Sequence, residues 1–200
     1  MLTLFARFIS FAFNPYFLIL PIPYLLVVRE TGDPAYAFKW TLFTFAFLGA
    51  IGVSVFLAVK KGYFTDLDIS QREQRPLFFS LLAFFAVMYL IALFYFQGPL
   101  VLFISLAGIF FSLVVFSFVN TRIKASVHVA SITALIFAFS LLYNGIFVLL
   151  LFLIPLIGWS RVKIHRHSKN EVLIGAIIGI LIPLVMFLVF KVLLQISLSI

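Results

Sequence analysis

The sequence predicts an all-α fold, a polytopic membrane helix bundle of six to seven spanning helices. Hydrophobic residues make up 65% of the 200 residues and charged residues only 10%, against about 25% charged in an average soluble domain. So few charges cannot cover the surface of a soluble chain of this length. The apolar stretches between the charged residues have room for spans of roughly 20 residues each. We therefore expect a single membrane domain over residues 1–200.

Seven segments are candidates for the spanning helices. In chain order they cover residues 8–28, 40–59, 77–96, 100–119, 127–143, 146–159 and 172–190. Pro15, Pro21 and Pro23 interrupt the first segment, because proline lacks the backbone donor that a helix interior needs. The sixth is short for a span, which leaves the count at six or seven. Turn sequences at residues 97–99 and 144–145 divide two apolar stretches into hairpins.

The polar residues gather in three clusters, at residues 60–76, 120–128 and 160–171. A predicted hairpin separates each cluster from the next, so we expect all three on one membrane face. Counting Arg7, this face carries 11 of the 14 basic residues and all three His. The positive-inside rule accounts for the basic residues and predicts that the face is cytoplasmic. We expect the membrane to be a bacterial-type cell membrane. It does not account for the His residues, and ionisable groups at membrane depth indicate a functional site.

The third cluster carries the most specific chemistry. His167 and Glu171 are four residues apart at the predicted start of a helix, so they share a face. A carboxylate there accepts the N–H of one ring nitrogen and leaves the lone pair on the other, which raises nucleophilicity. Arg161 lies six residues before His167 and offers a planar fork of donors suited to phosphate oxygens.

The other two clusters add cations and a second His. Lys124, Ser126 and His128 lie at the start of a helix, whose N–H groups favour an anion. Arg72 and Arg75 are one turn apart if their segment is helical. Together these groups predict a site that binds a phosphate and attacks it. The chain has no Cys, and this site lacks the clusters of acids that would hold a metal, so we expect no metal and no cofactor.

The same residues carry a resemblance to a known family. Ser160-Arg161, His167 and Glu171 follow the spacing SRXXXXXHXXXD, the third signature of the type 2 phosphatidic acid phosphatase and vanadium haloperoxidase superfamily. Residues 125–128 stand where that family has PSGH, and Arg75-Pro76 resembles the end of its KXXXXXXRP. Order and spacing agree over about half of the chain, and the predicted helices suit the family's bundle of roughly six spans.

The resemblance implies a metal-independent mechanism through a phosphohistidine. His167 would attack phosphorus while Glu171 orients it, and His128 would protonate the leaving oxygen and later activate water. The groups that hold the equatorial oxygens would be Arg75, Arg161 and Ser126.

This sequence departs from the family pattern at four positions. They are Asp68 at the Lys of the first motif, Ala125 and Val127 at the Pro and Gly of the second, and Glu171 at the Asp of the third. Losing the Lys removes one phosphate contact. We expect Lys124 or Arg72 to supply the missing charge.

These observations predict an integral-membrane lipid-phosphate phosphatase. Phosphatidic acid, phosphatidylglycerol phosphate and polyprenyl diphosphates all fit as substrates, with their chains left in the bilayer, and no nucleic acid is expected as a partner. One alternative is a catalytically inactive relative that binds anionic lipids. Another is a Mg²⁺-dependent membrane prenyltransferase, because Asp66-Leu67-Asp68 resembles the first Asp-rich motif of those enzymes. They need a second such motif, and past Glu73 the chain has a single acid, Glu171.

Overall fold

The computed structural model describes residues 2–198, with side chains described to Val192. Every regular element in this range is helical, which confirms the all-α prediction. The α-helices in chain order are α1 (Leu2–Ala12), α2 (Pro15–Leu18), α3 (Ile22–Thr31), α4 (Pro34–Lys60), α5 (Arg75–Tyr95), α6 (Leu100–Asn120), α7 (Val127–Leu142), α8 (Leu153–Lys163) and α9 (Lys169–Leu198). Two 3₁₀ helices, Arg72–Gln74 and Gly145–Phe152, run directly into α5 and α8.

Six helical stretches are long and apolar enough to cross a membrane. They are Leu2–Thr31, Pro34–Lys60, Arg72–Tyr95, Leu100–Asn120, Gly145–Lys163 and Lys169–Val192. The shorter apolar helix α7 is a seventh candidate. The prediction of six to seven spanning helices is confirmed, and the chain is a multi-pass membrane protein.

The predicted first span is divided into α1, α2 and α3. Pro15 begins α2, and Pro21 and Pro23 stand at the start of α3. Proline is tolerated at these positions because the first N–H groups of a helix have no intrahelical partner. Asn14 closes the gap after α1 by accepting a hydrogen bond from the backbone N of Tyr16 at 2.9 Å.

The sixth span covers Gly145–Lys163, five residues more than the predicted 146–159, and its first part is a 3₁₀ helix. Eight residues of 3₁₀ helix precede the 11 residues of α8. At about 2.0 Å per residue for the 3₁₀ part and about 1.5 Å for the α part, the stretch is roughly 32 Å long. A membrane core is about 30 Å thick, so the tighter winding lets a short segment span it.

Helix α4 begins six residues before its predicted start at residue 40. The Oδ1 atom of Asp33 accepts hydrogen bonds from the backbone N of Ala35 at 2.9 Å and of Tyr36 at 3.0 Å. This N-cap satisfies donors that the helix itself cannot, and Pro34 follows at the first helical position. A capping residue outside the apolar run therefore sets the helix start.

Contacts between helices divide the chain into two compact units. The first unit is Met1–Phe17 with Ile123–Ile200, and the second is Leu18–Arg122. The first contains α1 and α7 to α9, and the second contains α3 to α6. The division concerns helix packing, and the single membrane domain over residues 1–200 stays a prediction.

The second unit is built around a core of aromatic and aliphatic side chains. Its buried members are Val27, Ala37, Trp40, Ala86, Tyr89, Leu93, Leu102 and Leu106. The ring of Phe47 meets Tyr89 at 5.0 Å between centroids, and Phe43 meets Trp40 at 5.2 Å. These rings join α4 to α5 across the unit.

Candidate active site

In the first unit, α7 and α9 touch through glycines. A Cβ atom added at Gly175 would lie 2.6 Å from the carbonyl O of Ser126, and one added at Gly179 would lie 2.5 Å from that of Ala130. The second contact lies four residues after the first on both helices, so the two helices run in the same direction. Small residues at such a spacing allow close approach of two helix backbones. The N-termini of α7 and α9 therefore begin side by side.

The start of α9 is a capping box. The Oε2 atom of Glu171 accepts a hydrogen bond from the backbone N of Ser168 at 3.2 Å, and the Oγ atom of Ser168 accepts one from the backbone N of Glu171 at 3.3 Å. This reciprocal pair satisfies two of the helix's first donors. It also folds the Glu171 carboxylate back towards the residue before the cap, which is His167.

His167 meets that carboxylate directly. Its Nδ1 atom lies 2.8 Å from Oε2 of Glu171, and the side chains of His167 and Glu171 are only 4% and 19% exposed. When Nδ1–H donates to the carboxylate, the neutral ring carries its lone pair on Nε2. The contact therefore favours the tautomer that carries its proton on Nδ1.

A tight turn joins α8 to His167. The carbonyl O of Arg161 accepts hydrogen bonds from the backbone N of Arg166 at 3.0 Å and of His167 at 3.3 Å, and the N of His165 bonds to the carbonyl O of Val162 at 3.0 Å. This is the Schellman pattern that ends a helix. His165, at φ +59°, takes the left-handed position where Gly is usual. Its side chain is exposed, and its role in the turn comes from its backbone.

The Arg161 side chain is buried beside helix α1. It is 5% exposed, and its Nη1 atom donates a hydrogen bond of 2.7 Å to the Oγ atom of Ser10, which is 7% exposed. The sequence did not reveal Ser10 as a site residue. It lies 151 positions before Arg161, outside any motif, and a single Ser in an apolar helix has no distinguishing signal.

The start of α7 is tied to the start of α9. The backbone N of Ser126 donates to the carbonyl O of Glu171 at 3.0 Å. The Oγ atom of Ser126, a fully buried residue, caps α7 by accepting from the N of Val129 at 3.4 Å. His128 lies in the first turn of α7 and is buried, while Lys124 is half-buried just before it. The N-termini of α7 and α9, which carry the partial positive charge of the helix dipole, thus lie close together with their polar side chains.

The remaining predicted site residues belong to the second unit. Arg75, which is buried, is the first residue of α5. Arg72 precedes it in a 3₁₀ turn and donates from its guanidinium to the carbonyl O atoms of Thr121 and Arg122, which follow α6. Asp68 lies in the preceding loop and donates its backbone N to Oδ1 of Asp66 at 2.9 Å.

The acidic and His side chains that the structure describes show no metal-binding arrangement. Among the residues that the structure describes, no three His, Cys, Asp or Glu side chains are grouped so that they could hold a metal ion. The basic groups at the start of α7 and at the end of α8 are instead suited to an anion.

A comparison with family models identifies the part of the chain that contains this arrangement. Residues 115–194 match the PAP2 superfamily. The matched residues make up 80 of the 200 residues of the chain. The match supports the predicted type 2 phosphatidic acid phosphatase superfamily, whose members are generally phosphatases. No curated protein and no solved structure matches the chain.

The PAP2 match includes both predicted catalytic His residues but leaves out several other residues described above. His128, Arg161 and the His167–Glu171 pair all fall within residues 115–194. Ser10 lies outside the matched residues, as do Arg72 and Arg75 of the second unit. The PAP2 match thus covers the end of α6 and most of the C-terminal part of the first unit. Helix α1, which is outside the match, contributes the contact of Ser10 with Arg161.

Proposed function

We propose that this PAP2 protein is an integral-membrane lipid-phosphate phosphatase that works through a phosphohistidine and needs no metal. The observation that carries the proposal is the 2.8 Å contact between Nδ1 of His167 and Oε2 of Glu171. An imidazole held by a carboxylate in one tautomer is an activated nucleophile. The PAP2 match supports a phosphatase, and the pair supports the identity of the nucleophile.

The reaction has two steps. In the first, Nε2 of His167 forms a bond to phosphorus, the bond from phosphorus to the lipid oxygen breaks, and His128 donates a proton to that oxygen. In the second, His128 takes a proton from water, the water oxygen attacks phosphorus, and the phosphorus–nitrogen bond breaks. The products are the dephosphorylated lipid and inorganic phosphate, and His128 regains its proton. Glu171 stabilises the positive charge on the His167 ring in both steps.

Charge on the transferring phosphoryl group is stabilised by fixed donors. Arg161 presents a guanidinium, the hydroxyl of Ser126 donates at the N-terminus of α7, and Arg75 is proposed as the cation of the first motif. Lys124 is our first candidate for the charge missing at Asp68, because it lies two residues before Ser126 in the same unit. Arg72 remains the second, although its guanidinium already holds two backbone carbonyls.

The substrate class follows from the membrane setting of the site. The catalytic His residues stand at the ends of apolar helices, where a lipid headgroup can reach them while its chain stays in the bilayer. We propose phosphatidic acid, phosphatidylglycerol phosphate or a polyprenyl diphosphate as the substrate. The charge distribution supports a cytoplasmic site, and we propose that the membrane is a bacterial-type cell membrane.

The test is release of phosphate by the purified protein in detergent, with EDTA present, from a panel of these lipid phosphates. His167→Ala is expected to lose at least about 10³-fold in kcat/KM, and His128→Ala about 10²-fold or more. His165→Asn is the matched control, because it removes an imidazole two residues from His167 while Asn keeps the left-handed turn. We expect its activity to stay within about twofold of wild type.

Three results would count against the proposal. Equal activity of His167→Ala and wild type would exclude the nucleophile. Loss of activity in EDTA that Mg²⁺ restores would favour the prenyltransferase alternative. No release from any lipid phosphate, together with binding of anionic vesicles, would favour the inactive relative.

The missing first-motif charge has its own test. Lys124→Ala should raise KM for a lipid phosphate about tenfold, since one charge-assisted hydrogen bond to the phosphate is lost. Arg72→Ala is expected to lower Tm by removing the cap of α6, with little change in KM. The reverse result, an effect on KM for Arg72→Ala alone, would assign the compensating charge to Arg72.

A further inference from the structure

We infer that Ser10 in helix α1 is a positioning residue for Arg161, so that the N-terminal helix completes the phosphate site. The inference rests on the proposed function of Arg161 as a phosphate ligand. It concerns a residue outside the PAP2 match, which begins at residue 115. The observation that supports it is a hydrogen bond between two buried side chains, from Nη1 of Arg161 to Oγ of Ser10, at 2.7 Å.

The chemistry of this contact suits an anion site. A hydroxyl group is a neutral acceptor, so its hydrogen bond holds the guanidinium without neutralising any of its positive charge. Arg has five N–H donors in a rigid fork, and fixing one of them orients the others. A guanidinium that is already oriented loses less conformational entropy when phosphate binds.

Packing holds Ser10 in this place. Ala6 and Ile9 are buried together with Ser10 on one side of α1, at the three- and four-residue spacing of a helix face. The ring of Phe5 on α1 lies 6.2 Å from that of Trp159 on α8, one turn or less from Arg161. Helix α1 is therefore packed on the helix that ends at the site.

The contact also reaches the proposed nucleophile. The carbonyl O of Arg161 accepts from the backbone N of His167, so the residue that Ser10 holds also fixes the start of the His167 segment. From His167 the contacts continue through Glu171 to the backbone of Ser126. Ser10 thus lies at one end of a chain of contacts that links α1, α8, α9 and α7.

The experiment compares Ser10→Ala, Ser10→Thr and Ser140→Ala in the full-length protein. We expect Ser10→Ala to lower kcat/KM for a lipid phosphate about tenfold and to raise the Ki of inorganic phosphate by a similar factor. Ser10→Thr keeps the hydroxyl and should recover most of both values. Ser140→Ala is the matched control, since Ser140 is a half-buried Ser of the same unit whose hydroxyl bonds to the carbonyl O of Ile136.

A double variant separates positioning from general stability. Arg161→Ala with Ser10→Ala should be no worse than Arg161→Ala alone, because Ser10 acts through Arg161. Additive losses, or Ser10→Ala behaving like Ser140→Ala, would overturn the inference while leaving the proposed function intact. If Ser10→Ala does not fold, Ser10→Cys, which keeps the volume but is a weak acceptor, takes its place with the same expectations.

A binding measurement keeps the two proposals apart. Inorganic phosphate is titrated against wild type, Ser10→Ala and Arg161→Ala, and the shift in Tm gives its affinity. Should no lipid phosphate be hydrolysed, weaker phosphate binding in both variants would still support Ser10 as a positioning residue, and the proposed function alone would fail. Wild type that neither hydrolyses lipid phosphates nor binds phosphate would overturn both.

Discussion

The two units of this protein differ in how the helices inside each unit pack against one another. In the second unit, α4 and α5 meet through large rings, with Trp40 and Tyr89 buried among Phe side chains. In the first unit, α9 approaches α7 at Gly175 and Gly179 so closely that a single Cβ would overlap a carbonyl oxygen. One unit fills the space between its helices with side chains, and the other brings its backbones together.

The difference indicates which unit needs fixed atomic positions. Large rings bury much surface, and they keep the backbones of their helices apart. A backbone contact at glycine fixes the separation and register of two helices, and hence the places of the side chains at their ends. Catalysis needs such accuracy, since a misplacement of about 1 Å can reduce the rate about 10²-fold. The unit with the proposed active-site His pair is the one with the glycine contacts.

Among the variants that test this comparison, Glu171→Gln is expected to have the largest effect. An amide can still cap α9, but its N–H₂ group can face Nδ1 of His167 and select the wrong tautomer. We expect a loss of about 10³-fold in kcat/KM with Tm almost unchanged. Ser168→Ala is the control, because it removes a partner of the same capping box and should reduce stability by about 1 kcal/mol while most activity stays. If the two variants lost equal activity, Glu171 would act only as a helix cap.

A smaller effect is expected from Gly175→Ala. The new methyl group would lie 2.6 Å from the carbonyl O of Ser126, a backbone atom, so α7 and α9 must separate. Activity should fall about 10²-fold, and Tm should fall as well. Gly49→Ala in α4 is the matched control, because a Cβ atom there has nothing within 4 Å. Equal behaviour of the two variants would contradict the role given to the glycine contacts.

The smallest effect is expected in the second unit, from Tyr89→Phe. The Tyr89 hydroxyl lies 2.7 Å from Oγ1 of Thr44, among the rings of that core. Removing it should reduce stability by about 0.6 kcal/mol, the usual size of a hydrogen bond between membrane helices. We expect kcat per folded molecule to equal that of wild type. Both kcat and Tm should be measured on the same preparation of each protein. A large fall in kcat would show that the second unit's core also governs the chemistry.

Part of the site could be predicted because its spacing is local. His167 and Glu171 are four residues apart on one helix face, and the structure brings them to 2.8 Å. Two further local signals were present but were not used in the prediction. Ser168 and Glu171 form the S-x-x-E pattern of a capping box, and Gly175 and Gly179 have the spacing typical of close helix pairs. The left-handed turn at His165 had no such signal, because Gly or Asn is usual there.

Composition and charge spacing by themselves determined that the chain crosses a membrane several times. This follows because apolar segments of sufficient length have one favourable environment, the bilayer core. Only the tertiary structure decided that Ser10 holds Arg161, that Arg72 caps α6, and that the first turns of α7 and α9 are joined by the bond from Ser126 to Glu171. The reason is physical: such contacts depend on which helix faces pack together. Which faces pack together is decided by the sum of many small packing energies, and no local spacing in the sequence encodes that sum.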